Sequence, residues 1–283
     1  MDRSEDYVKR ILKVLIYIED HIEEDLSLDI LAKVACQSSF HFHRIFQAVI
    51  GETVHQYVRR LRLERAAGKL LYTKQPVTEI ALDANYDTPS AFTRAFKQCM
   101  GNSPRNYRVL NKEVNAMKNK IKDLQMIKPD KIEKISDLNL FFIRRFGNYV
   151  TSSKIAWDEM IDFIKDNQID KSKLRYFSIS HDDPQVTSED NLRFDACIQT
   201  SQRIQEKGEV SRQLLKGGKY AVFTLHGPHN NLQEMFDRIF LKWLPDSKDG
   251  FDDTRPVFCE HFNLDYVNKD ESKLITNIFI PIS

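Results

Sequence analysis

Cysteine is scarce in this 283-residue chain: Cys36, Cys99, Cys197 and Cys259 are the only four, and no two form a Cys-x-x-Cys pair. That argues against a disulfide framework and against a zinc cluster. Also missing is any run of about 18 apolar residues, the length a bilayer-spanning helix needs. No membrane partner is therefore expected. The opening segment, MDRSEDYVKRILKVLIYIEDHIEE, is amphipathic and charged, unlike a secretion signal. A reducing, cytoplasmic setting is the resulting expectation. The string His41-Phe42-His43 invites a metal, but adjacent residues diverge around a helix. His55 is remote, and no carboxylate completes a set at ligand spacing. Neither metal nor cofactor is expected.

Net charge is nearly absent too, at +1, which at first sight speaks against nucleic acid. The average conceals a gradient. Residues 1–32 hold four Lys/Arg against nine Asp/Glu, whereas residues 33–108 hold 12 against five. Residues 111–134 add seven Lys against four acids, and the remainder carries a net −4. A central basic block of this kind attracts phosphates and gives salt-dependent affinity. Hydrophobic content of 41% and charged content of 29% fit a soluble globular protein, and the length suits one large domain or two ordinary ones.

The first 108 residues read as nearly pure helix. Ile11, Leu15, Ile18 and Ile22 share a helical face. Ser27 caps a short helix over 28–35, the polar pair Gln37-Ser38 breaks it, and a helix over 39–49 carries Phe42, Ile45, Phe46 and Val49 until Gly51 ends it. Short helix, tight turn and second helix make a helix-turn-helix. A longer helix over 54–71, capped by Thr53, follows. Then the plan returns: Pro76 opens a helix, Tyr86-Asp87-Thr88 turns, and Ser90 starts a helix with Phe92, Ala95 and Phe96 inside, stopped by Gly101. SFHFHRIFQAVIG and SAFTRAFKQCMG are thus copies about 50 residues apart. Two such helices on one rigid spacer can enter major-groove faces about 34 Å apart.

Residues 111–134 are lysine-rich and read as helical tail and linker. Beyond them the pattern is mixed: strands over 140–145, 175–180, 193–200, 219–225, 257–263 and 274–280, with helices over 154–164 and 232–243. The order strand-helix-strand-strand occurs twice, each first strand ending in a glycine turn, Gly147-Asn148-Tyr149 and Gly227-Pro228-His229. The expected fold is an all-α double helix-turn-helix domain over 1–110, then an α+β domain over 135–283. In the latter, two strand-helix-strand-strand halves surround an antiparallel sheet and leave a cleft for a ligand.

Residues 8–108 resemble the DNA-binding domain of the AraC/XylS family of transcriptional regulators. The most diagnostic segment is VTEIALDANYDTPSAFTRAFKQCMGNSPRNYR, with its Ile80-Ala81 core, Tyr86-Asp87 turn, Arg94 to Lys97 helix and closing Gly101 to Arg108. Residues 136–283 look like a GyrI-like effector-binding domain, on the stretches FFIRRFGNYV, NLRFDACI, GGKYAVFTLHGPHNNL, PVFCEHF and NIFIPI. The two resemblances imply a transcriptional regulator rather than an enzyme, acting on the nucleoid. Its expected partners are a bipartite promoter site in double-stranded DNA, bound as a monomer, RNA polymerase, and a small effector.

In the first recognition helix the resemblance implies DNA contact from Phe40, His43 and Arg44. Arg44 also lies opposite Phe42 and Phe46, and an arginine there can grip a guanine edge or a phosphate. In the second it implies contact from Pro89, Ser90, Thr93 and Arg94. Pro89 and Ser90 stand where close family members carry glutamines, so adenine readout by those side chains is lost and Arg94 gains weight. Lys97, Arg105 and Arg108 are phosphate candidates. Arg59, Arg60, Arg62 and Arg65 are divided between water and pairing with Glu52 or Glu64.

In the C-terminal domain Glu260 stands out, because strand alternation sets it on one face with Phe258 and Phe262. A carboxylate between aromatics is costly unless satisfied, by an arginine, by solvent or by a ligand. The resemblance implies a glutamate reaching an aromatic-lined cleft that takes apolar cations, which cation–π contact would favour. Tyr149, Trp157, Tyr220 and Phe223 are the candidate walls, and His229 holds the position equivalent to Tyr149. Two other readings stay open at this level. The domain could be a protein-interaction module, or a small-molecule hydrolase with Glu260 as its base.

Overall fold

The computed structural model describes residues 3–121, 125–202, 204, 208–264 and 269–283, with the side chains of residues 3–5 and 114–121 excepted. It divides into two compact units, Met1–Lys112 and Glu113–Ser283. Lys118, Lys120 and Lys122 of the expected linker lie outside the described side chains.

Seven helices are described up to residue 121: α1 (Arg3–Asp20), α2 (Leu28–Val34), α3 (Ser39–Ile50), α4 (Val54–Tyr72), α5 (Val77–Asp83), α6 (Pro89–Met100) and α7 (Pro104–Ile121). Polar side chains set their starts. Ser27, Ser38, Thr53 and Thr88 each accept a hydrogen bond from an N–H of the first turn. At Thr53 the Gln56 side chain returns a bond to the cap backbone, completing a capping box.

The repeat is structural as well as textual. Both helix-turn-helix turns pass through a non-glycine residue with positive φ, Cys36 at 53° and Asn85 at 61°. In each, the next N–H reaches back five residues, Gln37 to the Ala32 carbonyl and Tyr86 to the Ala81 carbonyl. Both recognition helices end on a left-handed glycine, Gly51 at φ 85° and Gly101 at φ 76°. Each then buries the same aromatic triplet. Phe42 meets Phe46 at 5.7 Å and Phe46 meets Tyr57 at 5.6 Å; Phe92 meets Phe96 at 5.5 Å and Phe96 meets Tyr107 at 5.3 Å. All but Tyr107 of these six are buried. They fix the tilt of the recognition helices on α4 and α7, at a strength of about 0.5–1.5 kcal/mol per pair beyond area burial.

The second unit holds one eight-stranded antiparallel sheet. Its strands are β1 (Lys131–Ile135), β2 (Leu138–Phe146), β3 (Arg175–Ser180), β4 (Arg193–Gln199), β5 (Ser211–Leu215), β6 (Gly218–His226), β7 (Phe258–Phe262) and β8 (Ile275–Pro281), in the order β1-β6-β8-β7-β3-β4-β2-β5. That order reads the same from both ends when the halves are exchanged. The halves meet where β3 pairs with β7, and each contributes its leading short strand to the other's edge, β1 beside β6 and β5 beside β2. The connections β1–β2 and β5–β6 therefore approach closely. A Cβ on Gly217 would lie 2.5 Å from the Ile135 carbonyl oxygen, and the Gly217 N–H donates to Asp137 at 2.8 Å. β1 begins inside the segment expected to be linker, and β5 was not foreseen.

Helix α8 (Tyr149–Asp166) follows Gly147, which sits at φ 111°; Gly227 stands at the same point of the second half with φ 110°. Ala156, Met160, Phe163 and Ile164 of α8 pack on Phe141, Ile143, Phe194, Ala196 and Ile198 of the sheet. In the second half the single helix expected over 232–243 is α9 (Leu232–Arg238) followed by a π-helical segment, Ile239–Trp243. Pro245 lies just beyond, without an N–H to return to Leu241, and the winding widens ahead of it.

Candidate functional site

Two regions concentrate the functional candidates. On α3, residues at helical spacing form an outward stripe of Phe40, His43, Arg44 and Gln47, opposite buried Phe42 and Phe46. Phe40 is 75% exposed, a large cost for an aromatic ring unless something covers it, and the Arg44 guanidinium lies 5.8 Å from its centroid. On α6 the same positions carry Ser90, Thr93, Arg94 and Lys97, which with Pro89 line a shallow surface groove. Thr88 caps α6 and Pro89 occupies its first turn, where no N–H is needed.

Most of the other arginines of the unit, together with Lys69, are committed to the fold. Arg60 pairs with Glu52 and Glu64, Arg65 with Glu23, and Lys69 with Asp83. Arg62 donates to the Ile22 and Glu24 carbonyls at 2.9 and 2.6 Å. Arg108, a phosphate candidate by sequence, donates instead to the Leu70 and Gln75 carbonyls at 3.3 and 2.6 Å. Among the described residues no carboxylate pairs with Arg44, Arg94, Lys97 or Arg105. The arginines of the unit left without an acid or carbonyl partner among the described residues thus include Arg44 and Arg94 on the two recognition helices and Arg105 at the start of α7.

In the second unit, strand alternation sorts the candidates onto two faces of the sheet. Glu260 pairs across with Phe177 on one side and Asn277 on the other, on the face away from α8. Phe258 and Tyr220 share that face: Phe258 stacks on Phe279 at 4.4 Å, and Tyr220 meets Phe258 at 5.3 Å. Both are fully buried, and the Tyr220 hydroxyl donates to the Lys216 carbonyl at 3.0 Å, so these two rings are core. Glu260 is buried but not unsatisfied. Arg175 donates to it from Nε at 2.7 Å while its Nη1 donates to Gln199 and its guanidinium lies 4.9 Å from the Phe177 ring. Of the ways to satisfy Glu260, the arginine is the one present.

Trp157 points to the opposite face. It meets His261 edge-on at 5.9 Å and Tyr176 at 6.3 Å, and His261 meets His229 at 5.0 Å. His261 is buried, with Ser178 Oγ at 2.8 Å from Nε2 and Thr276 Oγ1 at 3.4 Å from Nδ1. Burial, reinforced by His229, pushes its pKa down to about 3, so the ring is neutral. Burial also lowers His229, against a weaker upward pull from Glu271. The structure therefore brings Trp157 and His229 together through His261, and separates both from Glu260, Phe258 and Tyr220. Tyr149 is engaged elsewhere: its hydroxyl donates to the Asp182 carbonyl at 2.7 Å and accepts from the Asp182 N–H at 3.0 Å. Phe223 packs on Trp243 at 5.0 Å.

His261 went unmarked in the sequence reading, although the alternation that singled out Glu260 also sets Cys259 and His261 on the other face. Nor did the sequence reveal a buried network behind β4. There Arg144 binds Asp195 with Nε and Nη2 at 2.7 and 2.9 Å, while His181 Nε2 and Gln213 Nε2 lie 2.7 and 3.0 Å from the same carboxylate. Arg144 and His181 hold Asp195 well below the usual carboxylate range despite full burial.

With this geometry in hand, a double helix-turn-helix unit followed by a duplicated α+β sheet defines the class. Residues 31–109 match a helix-turn-helix domain family, and residues 131–283 match the family of GyrI-like small molecule binding domains. The chain belongs to the GyrI-like small molecule binding domain family and carries an AraC-type helix-turn-helix domain ahead of it. It is 39% identical over 112 residues to an uncharacterized HTH-type transcriptional regulator, YbfP, of Bacillus subtilis, covering 40% of this chain and 38% of that protein. It is 39% identical over 95 residues to the right origin-binding protein of Escherichia coli, covering 34% and 33%. These matches span little more than a third of either relative. Among solved structures, the C-terminal domain of AraT, a response regulator from Geobacillus stearothermophilus, aligns at 33% identity and a TM-score of 0.35, covering 36% of this chain and 84% of that one.

Proposed function

We propose that this chain is a DNA-binding transcriptional regulator whose two recognition helices read one bipartite site and whose GyrI-like domain binds a small effector. The observation that carries the DNA half is the pair of matched stripes on α3 and α6. Both are exposed, and their basic residues Arg44, Arg94 and Lys97 have no acid partner among the described residues, while most other arginines of the unit are consumed internally. In this reading Phe40, His43 and Arg44 contact one half-site, and Ser90, Thr93 and Arg94 the other, with Lys97 and Arg105 on phosphates. Two recognition helices in one chain make a monomer sufficient. The regulator would act on the nucleoid in the cytoplasm, with RNA polymerase as the machinery it addresses.

Selection of duplexes from a random pool by the full-length protein tests this. Enriched sequences are expected to hold two conserved half-sites roughly 10–10.5 bp apart, centre to centre, with one chain bound per site by sedimentation. Enrichment of a single half-site, or binding only as a dimer, would contradict it.

For the effector half, family membership supports a small molecule without naming its chemistry. The apolar-cation reading relied on Glu260 being open to a ligand. With Arg175 on that carboxylate, a cation would have to displace a bound guanidinium that is itself half-exposed.

A further inference from the structure

The chemistry of the effector follows from the cluster that Trp157, Tyr176, His229 and His261 build on the helix-bearing face of the sheet. Its floor is polar but uncharged. His261, Ser178 and Thr276 are all buried, and both nitrogens of His261 are taken up by the two hydroxyls. Its walls are aromatic: Trp157 from α8 and Tyr176 from β3 are only partly buried, so the cluster reaches the surface. His229, carried by the turn after Gly227, closes the third side and is also partly buried.

One atom in this arrangement is left over. The Nε2 of His229 is shielded from solvent and has no hydrogen-bond partner among the described residues. A desolvated ring nitrogen without a partner is costly, and a ligand that supplies the missing bond recovers that cost. The surroundings also restrict the ligand's charge. Two neutral imidazoles and two hydroxyls offer a cation no counter-charge within the cluster, the Glu271 carboxylate acts on His229 less than burial does, and Glu260 lies on the opposite face of the sheet, bonded to Arg175. An anion would need donors carrying positive charge, and burial disfavours protonation of both histidines.

We propose that this cluster binds an uncharged aromatic compound bearing one hydroxyl or carbonyl group, its ring against Trp157 and Tyr176 and its polar group hydrogen-bonded to His229 Nε2. This deepens the effector-binding reading and rests on it. A neutral imidazole nitrogen serves as donor or acceptor according to tautomer, so either polar group can be matched.

The test is isothermal titration of the full-length protein with three probes that share one ring system and differ in charge: 2-naphthol, 2-naphthoate and a naphthyl-trimethylammonium salt. The expected result is preferential binding of 2-naphthol, weakened about tenfold or more in His229→Leu, the equivalent of roughly 1.4 kcal/mol. His229→Gln, which keeps a polar group near the Nε2 position, should retain most of the affinity. Circular dichroism melts of both variants report whether the fold is intact. If His229→Leu fails to fold, the His229→Ala and Trp157→Ala titrations decide, and a naphthol affinity unchanged in both overturns the proposal. Preferential binding of the ammonium probe, lost in Glu260→Gln, overturns the proposal while leaving the effector-binding reading intact. Binding of none of the three overturns the proposal and leaves the effector-binding reading, which names no ligand chemistry, intact.

Discussion

At the scale of single residues, the second unit is governed by which polar groups it buries and what each is given in return. Asp195 has Arg144, the His181 ring and an amide and stays ionised; Glu260 has Arg175. His261 has only hydroxyls and stays neutral. That choice has a measurable consequence. A histidine in the unfolded chain titrates near 6.5, whereas His261 resists protonation down to about 3. Between those values the unfolded chain binds more protons than the fold does. Stability present at neutral pH is therefore lost as pH falls through that window, by up to about 1.4 kcal/mol per pH unit. His229 and Glu271 face the same ring system, and His229, also lowered, adds to the trend. Chemical denaturation of the full chain at several pH values should show this slope for the second unit. His261→Gln should flatten it, and an unchanged slope would assign the acid sensitivity to other groups.

At the scale of elements, the helices and most strands were legible because each is bounded by local chemistry. Ser27, Ser38, Thr53 and Thr88 start helices, Gly51 and Gly101 stop them, and the period-two runs at 175–180 and 193–199 are strands. What escaped was non-local. β1 and β5 are five-residue strands, β1 mostly exposed and β5 buried only at its two ends, with no apolar run to announce them; they exist because the opposite half of the sheet supplies a partner. The π-helical turn before Pro245 left no periodic mark either. Arg175 lies 85 residues from Glu260, so their bond could not be read from spacing. The same distinction separates two glycines. Gly51 needs its left-handed φ but has open space around it, so Gly51→Ala should cost about 1–2 kcal/mol. Gly217 has a negative φ, yet its Cβ would collide with the backbone of the crossing β1–β2 connection. Gly217→Ala should cost ~1–3 kcal/mol through that overpacking, and should perturb the spectroscopic signal of the sheet as well as the midpoint of urea unfolding. A neutral Gly217→Ala would mean that the two connections are not locked together.

At the scale of the whole chain, the small net charge proved uninformative because its parts oppose one another. What matters is where positive charge is left unpaired, and among the described residues of the first unit that includes the outward stripes of α3 and α6. The proposed DNA-contact residues were accessible to sequence reasoning because a repeated helix with one buried and one exposed face advertises both. The proposed effector site was less so, since its residues come from α8, three strands and a turn, and only packing brings them together. The central claim is that Arg44 and Arg94 read separate halves of one site. It is tested most directly by fluorescence anisotropy on the selected duplex, titrating wild type, Arg44→Ala and Arg94→Ala at several salt concentrations. Each variant is expected to lose about 1–3 kcal/mol of binding free energy and to relax specificity at its own half-site only. Unchanged affinity in both variants, or loss of discrimination at the same half-site, would contradict the account.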